Sequence, residues 1–175
     1  MTDVEVGRVE TRTDVTEVRH MQANQETPVV PVVPGRFPRV LRFEQAARHG
    51  ILLGPSREYR ALSAWCRNVL PVQGARLARI ARILVTNSHQ HSRSGLPGGT
   101  VRVVLDQTHP KLPRLYVTDQ GPRTTTPPEH PRLNPGTHVS GLAVLDRLAF
   151  SWSPSWTWDG DRVQQTTVEA VLDLN

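Results

Sequence analysis

Fifteen of the 175 residues are proline, and no other feature constrains the chain as much. Each proline locks φ and removes a backbone donor, so every helix has to fit between prolines and long uninterrupted helices are not expected. Twelve glycines add further breaks. The length suits one ordinary domain and is too short for two hydrophobic cores of normal size. No stretch approaches the roughly 20 apolar residues that span a bilayer. The opening residues Met1 to Glu5 lack the basic segment and apolar run of an export signal, so the expected location is the cytoplasm, away from membranes. A single cysteine, Cys66, allows neither an internal disulfide nor a four-thiolate zinc site.

The net charge is +5, and it is unevenly spread. Residues 1–34 carry three Arg against six acidic residues, whereas 35–175 carry eighteen basic against ten acidic residues. All but one of the basic residues are Arg, the pattern of a GC-rich coding sequence, which makes nucleic acid a poor candidate partner despite the high pI. The run Pro28, Val29, Val30, Pro31, Val32, Val33, Pro34 favours extended backbone. The chain therefore divides into a flexible acidic arm over 1–35 and a basic folded domain over 36–175.

Within the domain, alternation predicts a strand at Arg39 to Phe43. Ser56 is a candidate helix cap ahead of Tyr59, Leu62, Trp65, Cys66 and Val69 at spacings of three and four. A second helix is predicted over 75–91, with Leu77, Ile80, Ala81, Leu84, Val85 and Ser88 on one stripe. Arg76, Arg79 and Arg82 form a ridge elsewhere on it, a solvated face open to an acidic partner. Strands follow at 100–106 and 114–119, then an irregular proline-rich loop over 120–138 and a third helix over 140–150. Two strands around the Asp159, Gly160, Asp161 turn complete the order. Trp152, Trp156 and Trp158 share one strand parity, which reads first as packing or a partner surface rather than a platform for stacking bases. The expected fold class is α+β: a two-layer sandwich with a mostly antiparallel, mixed sheet of four to five strands and about three helices on one face.

Three segments then fall in order: Leu84 to Asn87 on the second helix, Val117 to Gly121 at a strand end, and Ser140 to Leu145 opening the third helix. Over about residues 37–174 they resemble the nucleotide-binding boxes of the histidine-kinase-like ATPase fold (GHKL), and most closely the anti-sigma-factor serine kinases of the RsbW type and their actinobacterial ATP-binding relatives. The resemblance implies ATP and Mg²⁺ as cofactors. Asn87 would hold Mg²⁺ through its amide oxygen, a hard ligand for a hard cation. Asp119 would accept from the adenine amino group while Gly121 lets backbone approach the ring. Gly141 and Leu142, at a helix start, would meet phosphate. The loop over 122–138 would form a lid, and His91 matches a frequent histidine of the family.

The departures are as specific as the matches. The family's catalytic glutamate falls at Ile83, one turn before Asn87. Isoleucine cannot accept a proton, and losing a positioned base typically removes about 10²- to 10⁴-fold of rate. Val139 and Arg123 stand where glycines are usual. No catalytic residue is therefore assigned. The expectation is an ATP-binding regulatory protein that binds a sigma factor, an anti-anti-sigma protein or a small developmental regulator, with a homodimer possible. An active serine/threonine kinase, with Glu129 or Asp146 considered as replacement base, and a scaffold that no longer binds nucleotide are the alternatives. A metal site from His89, His91 and Cys66 is disfavoured, because residues two apart on a helix do not face one another.

Overall fold

The computed structural model describes residues 37–124 and 141–175. The Pro-Val arm and most of the expected lid, with Glu129 and Val139, lie outside them. The elements are β1 (Arg39–Leu41), β2 (Arg48–Leu53), α1 (Tyr59–Val69), α2 (Gly74–His91), β3 (Val101–Asp106), β4 (Arg114–Asp119), α3 (Gly141–Leu148), β5 (Ser151–Asp159) and β6 (Arg162–Val171), with a 3₁₀ turn at Arg93–Gly95.

The fold is α+β, with a six-stranded sheet in the order β1-β2-β3-β4-β6-β5. Every strand pairing among the described residues is antiparallel, so the sheet is not mixed. The strand beyond the expected four to five is β2, Arg-His-Gly-Ile-Leu-Leu, which carries no clean alternation to announce it. Its Ile51 and Leu53 face the helices and are buried. On the other face the ring of Phe43 lies over Gly50, where a Cβ would come within 2.7 Å of Phe43 Cε2. Phe43 thus folds back over β2 instead of extending β1.

Alternation in β3 and β4 sends Val101, Val103, Leu105, Leu115 and Val117 into one core with Leu62, Leu77, Ile80 and Leu84 of the helices. That burial dominates local effects. Helix α1 opens at Tyr59 with Glu58 at the cap position and no side-chain cap, and Ser56 instead accepts the Glu58 N–H through its carbonyl at 2.9 Å. A cap is worth about 1 kcal/mol, whereas fully burying one leucine yields about 2 kcal/mol. The helix forms because Leu62, Trp65 and Cys66 are buried, without needing Ser56.

The longest helix, α2, occupies the proline-free stretch between Pro71 and Pro97, and its apolar stripe is buried throughout. The arginine ridge is not a uniform solvated face. Arg76 donates from Nε to the Leu148 carbonyl and from Nη1 to the Asp173 carbonyl, both at 2.8 Å, tying the start of α2 to the end of α3. Arg82 stacks over the Tyr59 ring at 4.9 Å, and Arg79 stays exposed. Because Leu148 meets Arg76 while Gly141 lies by Ile83, α3 runs antiparallel to α2. Gly160 turns the β5–β6 hairpin at φ +56°, as its sequence predicts. No helix among the described residues is long and apolar enough to cross a membrane.

Candidate functional site

The last two turns of α2 bring the three sequence segments together. Ile83 and Asn87 share the edge that faces the start of α3. A Cβ on Gly141 would lie 3.1 Å from Ile83 Cγ2 and 3.9 Å from Asn87 Oδ1, so the absent side chain lets α3 begin directly against them. The next residue of α2, buried Ser88, donates its hydroxyl hydrogen to the Asp119 carboxylate at the end of β4. Asn87, Asp119 and Gly141 thus surround one end of α2, and the Asn87 carboxamide, half-buried, makes no hydrogen bond among the described residues.

Asp119 points to the helix side of the sheet, in the same parity as Leu115 and Val117. Burial pushes its carboxyl pKa up, partly offset by the Gly121 N–H, which donates to Oδ1 at 2.8 Å, and by donors from Ser88 and Thr166. Asp119 forms no ion pair among the described residues. Gly121 sits at φ +74°, and a Cβ there would come 2.6 Å from the Val163 carbonyl oxygen. Its glycine is thus required by the chain's own backbone, whatever it does for a ligand.

Other residues resolve differently from their sequence reading. The Leu142 side chain packs against the hydrophobic core, so only its backbone can face a ligand. Arg123 donates from Nε to the Ser92 carbonyl and from Nη2 to the His89 carbonyl, capping the C-terminal end of α2 with a cation where its dipole is negative. Asp146 accepts from Trp152 Nε1 at 2.6 Å and is thereby committed to packing α3 on β5, away from the Ile83 position. His91 is exposed at the last position of α2. His89 is buried, its Nε2–H donates to the Gly54 carbonyl at 3.0 Å, and burial lowers its pKa, so it is a neutral structural imidazole. Burial pushes the Cys66 thiol up to about 12, and no cluster of metal-ligating side chains occurs among the described residues.

Two residues at this end escaped the sequence reading. Ser88 falls on the apolar stripe of α2, yet its hydroxyl is the link between α2 and Asp119; a serine within an otherwise apolar helix face is the available signal. Thr166 is paired with Asp119 in the β4–β6 register and donates to it, a relation that only the pairing reveals.

The residues fit a nucleotide with its metal in donor type. Mg²⁺ keeps several waters and shares phosphate oxygens, so one amide oxygen such as Asn87 Oδ1 suffices as a protein ligand. The first-turn N–H groups of α3 stand beside it. Beside Asn87 and Gly141, the residue at 83 offers only hydrocarbon. No family model matches this chain, and no curated protein shows significant similarity to it.

Proposed function

We propose that the protein is a cytoplasmic ATP-binding regulator that acts by holding a protein partner and transfers phosphate poorly, if at all. The observation that carries this reading is the meeting of Asn87, Gly141 and, through Ser88, Asp119 around one end of α2. With bound nucleotide, Mg²⁺ would supply charge neutralisation at the phosphates. Asn87 would orient it, the start of α3 would donate backbone N–H groups, and Asp119 would read the base. Ile83 holds no proton and cannot activate a hydroxyl. The partner classes are those of the resembled anti-sigma family: a sigma factor, an anti-anti-sigma protein or a small developmental regulator.

One observation favours a second reading, a scaffold without nucleotide. The Asp119 carboxylate already accepts from Gly121, Ser88 and Thr166, so its lone pairs are largely occupied by the protein itself. Titration calorimetry with Mg²⁺-ATP separates the two. Binding to the wild type that is lost in Asn87→Ala and Asp119→Asn supports the regulator. No heat at millimolar ATP supports the scaffold. Phosphate transfer to a partner from [γ-³²P]ATP is expected to be absent, and Ile83→Glu is expected to introduce it if only the base is missing.

A further inference from the structure

The face of the sheet away from the helices carries a row of charges. Arg48, Asp106 and Arg114 are register partners on β2, β3 and β4, so they stand side by side over about 10 Å at the usual strand spacing. The turn before β2 is closed by the Arg48 N–H, which donates to the Gln45 carbonyl at 3.0 Å and keeps Gln45 beside the row. The β3–β4 connection is closed by the Leu112 N–H on the His109 carbonyl at 3.0 Å. Together with Tyr116, these residues line a cavity of about 320 Å³. That volume is at the low end of the roughly 300–1,000 Å³ of small-molecule sites.

Around this cavity the acceptors are used up and the donors are not. The Asp106 carboxylate takes Arg48 Nε–H on Oδ2 and the Thr108 N–H on Oδ1, both at 2.9 Å. That pair spends one N–H of Arg48, whose Nη1 and Nη2 groups have no acceptor among the described residues. Arg114 donates to Glu169 at 2.7 Å and to the Tyr116 hydroxyl oxygen, which leaves the Tyr116 O–H hydrogen free to donate. The Gln45 amide adds a further donor without an acceptor among the described residues. The Arg48 and Asp106 side chains are only 21% and 12% exposed, so Arg48 is held in place and presents a fixed guanidinium edge. A fixed, planar fork of donors matches an oxyanion, which brings acceptors and no donor of its own.

We propose that this cavity is a binding site for a small organic anion, whose carboxylate or phosphate head is held by the Arg48 guanidinium edge and the Tyr116 hydroxyl, with its carbon part against Leu112. The site lies on the face opposite Asn87, Asp119 and Gly141, and it stands whether or not the protein binds nucleotide. Because Asp106 orients Arg48 in advance, little ordering is left for the ligand to impose.

The experiment is an amide NMR titration of the full chain at constant ionic strength, with succinate, glycerol phosphate and inorganic phosphate as probes. Saturable shifts are expected over 45–48 and 106–112, with the amides of Asn87 and Gly141 unmoved. Binding of glycerol phosphate alone assigns a phosphate head, binding of succinate alone a carboxylate, and binding of both a site that reads the oxyanion. Arg48→Met is expected to weaken binding about tenfold, Arg48→Lys about fivefold because an ammonium cannot present the fork, and Tyr116→Phe about threefold. Arg79→Met, which removes an exposed arginine of α2, is expected to change nothing. No saturable shift with any probe up to about 20 mM overturns the proposal. So does equal weakening in Arg79→Met and Arg48→Met, which would mean general attraction to a basic protein. Inorganic phosphate that binds as tightly as glycerol phosphate, with succinate not bound, overturns the organic part of it. Circular dichroism establishes that each variant is folded, and should Arg48→Met fail to fold, unchanged affinity in Tyr116→Phe overturns the proposal alone.

Discussion

Strands β3 and β4 are antiparallel neighbours and each ends on an aspartate, Asp106 and Asp119, yet the two carboxylates live under opposite electrostatics. Asp106 lies on the outer face of the sheet, where burial would raise its pKa but hydrogen bonds from Thr108 and the Arg48 guanidinium outweigh it and hold the carboxyl below its ordinary value. Arg48 Nε meets Asp106 at 2.9 Å in a largely shielded pair, and Arg114 pairs with Glu169 at 2.7 Å in a more exposed one nearby, so this face carries a ladder of alternating charge. A pocket of about 320 Å³ opens there, lined by Arg48, Asp106, His109, Arg114 and Tyr116 among others, on the side opposite the candidate site. Asp119 faces the helices, is surrounded by neutral donors, and is pushed upward by burial. The lesson is that two half-buried strand-terminal aspartates become an ion-pair member or a hub of neutral donors according to which face of the sheet each occupies.

The largest expected effect is on stability when each carboxylate is removed. Asp119→Ala leaves the donors of Gly121, Ser88 and half-buried Thr166 unmatched and should cost about 3 kcal/mol in urea unfolding, whereas Asp106→Ala leaves only half-buried Arg48 and exposed Thr108, both able to turn to water, and should cost about 1.5 kcal/mol. Equal losses at the two positions would break the contrast.

The pH dependence should differ in sign. A lowered native pKa means that Asp106 contributes stability above the ordinary carboxylate range, which is lost as pH falls through the native value. A raised native pKa means that the Asp119 contribution is present below that range and is lost as pH rises through the native value. In thermal melts from pH 3 to 8, Asp106→Asn should therefore flatten the acid side of the profile and Asp119→Asn should flatten the decline just above it.

A smaller effect concerns the cap that neighbours Asp119. Arg123→Ala frees the carbonyls of His89 and Ser92, and a loss of about 1 kcal/mol is expected, read as faster amide hydrogen exchange at the end of α2. Smallest of all, Glu169→Gln, which breaks the more exposed Arg114 pair on the outer face, should change unfolding by about 0.5 kcal/mol or less, with the difference vanishing in 1 M salt. A salt-insensitive loss there would mean that this pair is not a solvated one.

Much of this fold is legible in the chain because the signals are local. The stripe from Leu77 to Ser88, the alternation of Val101, Val103 and Leu105, and the Gly160 turn each declare themselves within a few residues. β2 was hidden because Gly50 interrupts its pattern and is completed by Phe43, a contact across the sheet. Ser56 looked like a cap, but the first turn of α1 follows where Leu62 and Trp65 find the core. Arg76 and Arg123 read as surface charge and departure respectively; both turned out to bond backbone carbonyls distant in sequence. The order of Asn87, Asp119 and Gly141 was visible at once, while their relation through Ser88 and Thr166 was not.

The sequence by itself determined where elements begin and break and which faces are apolar, because proline geometry, residue periodicity and side-chain transfer from water act over a few neighbouring positions. Only the tertiary structure decided that Asp119 meets neutral donors and Asp106 a guanidinium, that Trp156 rather than Trp152 or Trp158 shares a row with Asp119, and that Arg76 and Arg123 are clamps. Those outcomes depend on strand register and on which helix lies above each row, and the groups concerned are tens of residues apart along the chain.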